Sequence, residues 1–212
     1  MWFRRRPRYD RREVLERAAR EAARGRRRRA VALYRRVLFV EPANVDVHRQ
    51  LAPLLAETGE PFEAWLSYRA VGRAFERSRE FAKAREVYRQ AATRLPAKLD
   101  AWLCVSRLER RLGDARAARA ALLEGRRHQR GRAKRATAIF LLREALGLDP
   151  WDPALVLDLA GLLSRSGRRE EADLWLEGLA SRSRGAPLRR VRSAQLRLSP
   201  SLGRAWLWLR AA

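Results

Sequence analysis

Few side chains in this sequence have the type and spacing to do chemistry, and nearly all of those are cations. Arginine and lysine number 48 against 24 aspartates and glutamates, a net charge of +24. Lys83, Lys98 and Lys134 are the only lysines, so the charge is carried by guanidinium groups, whose planar fork matches carboxylate and phosphate. Residues suited to catalysis are scarce. His48 and His128 are the only histidines and Cys104 the only cysteine. His48 sits among apolar residues at helical spacing and reads as structural, and Cys104 reads as a small apolar filler. Glu170 and Glu171 stand at a helix start, where negative charge is favoured by the helix dipole. HExxH, GxxxxGK, GxGxxG and CxxC are all missing from the sequence, and with them the common metal, phosphate-loop, dinucleotide and redox chemistries. The sequence therefore predicts no catalytic, cofactor-binding or metal-binding residue, and a chain that is not an enzyme.

The cations are unevenly spread. Residues 1–40 carry a net charge of +11, residues 41–100 only +1, residues 101–150 +7 and residues 151–212 +5. Two runs are dense: Arg26, Arg27, Arg28 and Arg29 behind Arg24, and Arg126, Arg127, Arg130, Arg132, Lys134 and Arg135. Such runs suit phosphate, in nucleic acid or on an anionic lipid surface, and binding through them would weaken steeply with salt. Aromatic residues do not alternate with them, so no platform for stacked bases is visible. At the N-terminus Trp2 and Phe3 precede Arg4, Arg5 and Arg6, a segment that could rest on an anionic membrane. No apolar stretch follows it, so no secretory signal is expected, and no run reaches the roughly 18 apolar residues of a membrane span. One cysteine forms no disulfide framework, which fits a reducing compartment. A cytoplasmic location is expected.

The elements that must hold these cations follow from a repeat. Ala84, Tyr88, Ala91 and Pro96 recur as Ala30, Tyr34, Val37 and Pro42, and again as Ala138, Leu142, Ala145 and Pro150, at a constant 54-residue interval. Leu54, Leu108 and Leu162 keep the same interval, as do Gly59, Gly113 and Gly167, and Ala64, Ala118 and Ala172. Small residues allow two helices to approach, a large residue one turn on fills the groove, and glycine or proline turns the chain back. Each 54-residue unit reads as three helical segments. In the first unit they are a segment from Asn44 to Gly59, one from Pro61 to Ser78, and one from Arg79 to Pro96. A single hairpin of this kind cannot bury its own apolar stripe, whereas stacked copies can.

These residues resemble the tetratricopeptide repeat. Trp102, Val105, Gly113, Asp114 and Ala118 fit its pattern, as do Leu159, Ala160, Gly167 and Ala172, and the frames that close at Pro42, Pro96 and Pro150. The matches span about residues 11–206. The family repeats at about 34 residues with two helices, so a 54-residue period of three makes this a divergent version. The segment from Pro61 to Ser78 fits the second helix of one repeat and the first of the next.

The resemblance implies an all-α, right-handed solenoid of antiparallel helices. It would comprise a basic arm (1–10) and one solenoid (11–212), divided into a partial unit 11–44, units 45–98, 99–152 and 153–202, and a terminal helix 203–212. It also implies an interaction scaffold whose first helices face the partner. Carried over by position, that face includes Arg49, Arg107, Arg110, Arg111 and Arg165, and a row of arginines favours an acidic peptide or protein. The alternatives are a nucleic-acid-associated protein using the two dense runs, or a peripheral membrane adaptor using the N-terminal arginines. Trp206 and Trp208 would cap the last unit or dock a second chain.

Overall fold

The computed structural model describes residues 10–211, and among them every regular element is helical. They fall into two compact units that divide between Gly113 and Asp114. The first holds α1 (Arg11–Ala23), α2 (Arg27–Val40), α3 (Val45–Glu57), α4 (Pro61–Arg77), α5 (Phe81–Arg94) and α6 (Leu99–Arg111). The second holds α7 (Ala115–Arg127), a single 3-10 turn (Arg132–Lys134), α8 (Arg135–Leu146), α9 (Pro153–Arg165), α10 (Arg169–Ala180), α11 (Gly185–Leu198) and α12 (Leu202–Leu209). Within each unit, every helix packs against the next in the chain. The basic arm expected at residues 1–10, with the Trp2, Phe3, Arg4, Arg5 and Arg6 of the membrane-adaptor alternative, lies outside the described residues except for Asp10.

Local chemistry fixes where the helices begin and end. Asp10, Asn44, Asp114, Asp152 and Ser201 are N-caps whose side chains accept first-turn amides, as in Ala117 N to Asp114 Oδ1 at 2.7 Å and Leu155 N to Asp152 Oδ1 at 3.0 Å. Each such cap contributes about 1 kcal/mol. Pro61 and Pro153 occupy the first helical position of α4 and α9, where a missing N–H costs nothing. Gly59, Gly113 and Gly167 leave α3, α6 and α9 with φ of 84°, 87° and 80°, a left-handed conformation that side chains resist. Corresponding helices consequently start at equal spacing: α2, α5 and α8 at 27, 81 and 135, α3, α6 and α9 at 45, 99 and 153, and α4, α7 and α10 at 61, 115 and 169.

The buried face of each helix is a small–large alternation. Ala30, Tyr34 and Val37 on α2, and Ala84, Tyr88 and Ala91 on α5, form one set in the first unit. Ala138, Leu142 and Ala145 on α8 form the corresponding set in the second. Burying each Leu, Val or Tyr contributes about 1.5–3 kcal/mol. Helices two apart in the chain are tied together by ion pairs. Arg35 of α2 reaches Glu60 and Glu63 at the start of α4, and Arg143 of α8 reaches Glu171 at the start of α10. Arg126 Nη2 of α7 donates to both carboxylate oxygens of Asp158 of α9 at 2.8 and 3.0 Å, and Arg204 of α12 forks onto Asp173 of α10 at 2.9 and 3.0 Å.

Candidate partner-binding surface

The arginines that could meet a partner gather most densely on α6. Its Ala101, Val105 and Leu108 are buried, which leaves Arg107, Arg110 and Arg111 together on the exposed side at the spacing of helix-surface neighbours. Arg107 Nη2 lies 2.9 Å from each carboxylate oxygen of Glu76 on α4. The Arg111 guanidinium stacks on Phe81 of α5, 3.9 Å from the ring centroid. Arg110 has no acidic partner among the described residues and is free to take one. Arg110 and Arg111 also lie in the last turn of α6, where the helix dipole favours cations.

Behind this face stands a group that sequence reasoning missed. Glu109 is 1% exposed and sits between Arg85, 3.4 Å away, and Arg89, both of α5. Removing either partner of a buried ion pair strands the other, so these two arginines are structural. Glu76 does similar work, accepting a hydrogen bond from Tyr88 Oη at 3.0 Å as well as the contact from Arg107. Burial of the Tyr88 phenol pushes its pKa well up.

The remaining face residues are more dispersed. Arg49 lies 3.0 Å from Asp46 on its own helix. It is the fifth residue of α3, whereas Arg111 and Arg165 are the last residues of α6 and α9, so Arg49 does not share their register. Arg165, in the second unit, donates to the carbonyl of Gly161 at 3.0 Å, and its own carbonyl accepts from Arg135.

The two dense runs part company in the fold. Arg26, Arg27, Arg28 and Arg29 line a depression of about 440 Å³ with Gly25, Glu57 and Thr58. The second run is largely spoken for: Arg126 by Asp158, Arg127 by Glu124 at 2.7 Å, Arg130 by the carbonyl of Arg127 at 3.0 Å and Arg135 by that of Arg165. Of that run only Arg132 and Lys134 have neither an acidic nor a carbonyl partner for their side chains among the described residues.

The other reactive side chains have structural duties. His48 Nε2 lies 2.9 Å from the carbonyl of Pro42 and Nδ1 3.2 Å from Ser67 Oγ. A carbonyl only accepts, so Nε2 carries the proton and Nδ1 accepts from the serine hydroxyl. Trp102, at the same register in α6, donates Nε1–H to the carbonyl of Pro96 at 3.0 Å. Both rings fasten the proline turn that precedes their helix. Cys104 is partly buried, and burial, the largest influence on it, raises its thiol pKa. Among the described residues no group of three or more His, Cys, Asp or Glu is placed to hold a metal ion. No described helix is long and apolar enough to cross a membrane.

Residues 129–194, which contain α8, α9, α10 and most of α11, match the tetratricopeptide repeat family model. Over that stretch the sequence is a tetratricopeptide repeat. Among solved structures it is similar to a tetratricopeptide repeat protein of Parabacteroides merdae, with 18% identity, 94% of this chain and 91% of that one covered, and a TM-score of 0.33. A thermophilic tetratricopeptide repeat protein of Thermus thermophilus is 20% identical, with 95% and 88% covered and a TM-score of 0.32. No curated protein matches the sequence.

Within the matched stretch the tetratricopeptide pattern is carried by Ala138, Leu142 and Ala145 of α8, Leu159 and Ala160 of α9 and Ala172 of α10. All are at most 1% exposed. These positions build the repeat and present nothing to solvent. Of the face candidates only Arg165 falls inside the stretch, and the α6 cluster lies before it. At the other end of the chain, α12 buries none of its side chains. Trp208 donates to Ser193 Oγ of α11 at 2.8 Å, while Trp206 is 54% exposed with Arg210 stacked on it at 4.4 Å.

Proposed function

We propose that this chain is a non-catalytic interaction scaffold that holds an acidic peptide or acidic protein surface on the arginine face of α6. The observation that carries the reading is the grouping of Arg107, Arg110 and Arg111 on one exposed helix face, with Arg110 unpaired among the described residues. The charge balance supports it. With 48 cations and 24 carboxylates, one-to-one pairing inside the chain would still leave half the cations unsatisfied. Arginine forks take carboxylates two hydrogen bonds at a time, so an acidic segment crossing α6 would find Arg110 open. It could also draw Arg107 from Glu76 by exchange.

Affinity capture from native lysate, with nuclease present and at moderate salt, tests the reading. Wild type should retain a defined acidic protein. Arg110→Ala should weaken its retention, and Arg110→Glu should abolish it, since the reversed charge repels the ligand while touching no internal ion pair. Retention unchanged in Arg110→Glu would remove α6 as the binding face.

A further inference from the structure

A separate store of unmatched charge lies in the depression where α2 begins. Four consecutive arginines, Arg26 to Arg29, line it together with Gly25, Glu57 and Thr58, and the carboxylates within reach are too few for them. Glu57 is shared by Arg27 and by Arg94 of α5, the latter at 2.9 Å. Glu21 of α1 is approached by Arg24, Arg26 and Arg29 at 3.8, 3.6 and 4.0 Å, all beyond hydrogen-bond reach, and its buried Oε2 has no hydrogen-bond partner. Arg28 makes no ion pair among the described residues; its charge is felt weakly by Glu60, which is held by Arg35. The guanidinium groups of Arg24, Arg26, Arg27, Arg28, Arg29 and Arg94 thus stand against Glu21, Glu57 and a Glu60 already held by Arg35. The donors of Arg28, Arg26 and Arg29 are not committed to an acceptor, and the Thr58 hydroxyl is engaged with the carbonyls of Leu54 and Leu55 at 3.0 and 3.2 Å.

Nothing in the repeat asks for this arrangement. The residues that open α5 at the same register are Glu80, Phe81, Ala82 and Lys83. The first turn of α2 holds no acid, so its arginines repel one another and face the positive end of the helix dipole, an unfavourable placement for each. A dianion would relieve both. Three forked donors match the three terminal oxygens of a phosphate group better than the two of a carboxylate, and about 440 Å³ leaves room for whatever the phosphate is attached to.

We propose that this depression binds the dianion of a phosphate monoester through Arg26, Arg28 and Arg29. The site is independent of the α6 face, and the two readings can fail separately. The phosphate can belong to a phosphorylated side chain or to a small metabolite, and the titrants distinguish the two.

The experiment is calorimetric titration of the full chain at fixed ionic strength with inorganic phosphate, O-phosphoserine, a phosphoserine peptide, a sugar phosphate, and glutarate as the dicarboxylate control. Wild type should bind the phosphate compounds saturably at one site and glutarate at least tenfold more weakly. Tighter binding of the peptide than of the sugar phosphate assigns the group to a phosphorylated protein, and the reverse order to a small ester. Arg26→Ala with Arg28→Ala should weaken binding tenfold or more, Arg28→Glu should abolish it, and Arg110→Ala should leave it unchanged. Arg28 makes no internal ion pair, so Arg28→Glu is expected to fold, and its unfolding midpoint is measured alongside. Absence of saturable phosphate binding, equal binding of glutarate, or undiminished binding by a folded Arg28→Glu variant would overturn the proposal. So would an oligonucleotide that binds where none of the small phosphates does.

Discussion

Tyr88 of α5 lies across the backbone of Gly72 in α4, so close that a methyl group added to Gly72 would stand 2.7 Å from Tyr88 Oη. The ring has nowhere to go. It is 1% exposed, its hydroxyl is held by Glu76 at 3.0 Å, and Trp65 packs at a centroid distance of 6.0 Å. Gly72→Ala gains about 1 kcal/mol of helix propensity and forces an overpacking cost of about 1–3 kcal/mol. The expected outcome is a lower urea midpoint with an unchanged slope. Adding Tyr88→Leu, which empties the space the methyl needs, should make Gly72→Ala less damaging than it is in wild type.

A second expectation concerns acid. Arg27, then Arg94, hold the Glu57 carboxyl below its ordinary pKa; Arg35 does the same for Glu60, and Gln195 followed by Arg192 for Glu177. A carboxyl depressed in the folded state binds protons more readily when unfolded. Its contribution is therefore complete above the unfolded value of about 4.3 and is lost as pH falls through the folded one. Urea midpoints should hold steady from pH 7 to 5 and fall below pH 4. In the triple variant Glu57→Gln, Glu60→Gln and Glu177→Gln the pH 7 midpoint should be lower and the acid slope shallower. High salt should narrow the gap between the two proteins, because all three carboxyls are partly exposed and screened. A slope unchanged in the triple variant would place the acid sensitivity elsewhere.

The helices were legible because their ends are written in residues that leave the backbone little choice. Pro42, Pro61, Pro96 and Pro153, together with Gly59, Gly113 and Gly167, sit where α2 to α6 and α9 begin or end. The allegiance of the arginines was not legible, because a run of like residues conceals which members face inward. Arg126 belongs to the run that suggested phosphate binding, yet its Nη2 donates to both oxygens of Asp158. Glu109 directly precedes the exposed Arg110 and Arg111, yet it is among the most buried side chains of the first unit. A signal was nevertheless present. Ion pairs between positions 28 to 33 apart recur along the chain, among them Arg27–Glu57, Arg35–Glu63, Arg107–Glu76, Arg119–Asp152, Arg126–Asp158, Arg143–Glu171 and Arg204–Asp173. Most of these span two helices and two turns, which brings side chains of next-but-one helices level. Scanning for a carboxylate at that separation nominates partners without choosing among them: Glu57 and Glu60 lie in range of Arg28, and Glu80 in range of Arg110, yet neither arginine makes an ion pair among the described residues.

The third prediction turns on one residue that departs from the turn chemistry around it. Arg79 has φ of 59°, the only positive φ outside glycine among the described residues, while Gly25 holds the same place one repeat earlier with φ of 72°. A side chain in this left-handed region costs about 1–2 kcal/mol, and the greater freedom of glycine in the unfolded chain returns about 0.4–1 kcal/mol of that. Arg79 is exposed and makes no ion pair among the described residues, so nothing else is lost with it. Arg79→Gly should raise the unfolding free energy by roughly 0.5–1 kcal/mol, read from urea denaturation, whereas Arg79→Ala keeps the Cβ and the strain and should gain nothing. A gain shared by both variants would trace to the removed charge in a chain already rich in cations. A gain in glycine alone would trace to the backbone.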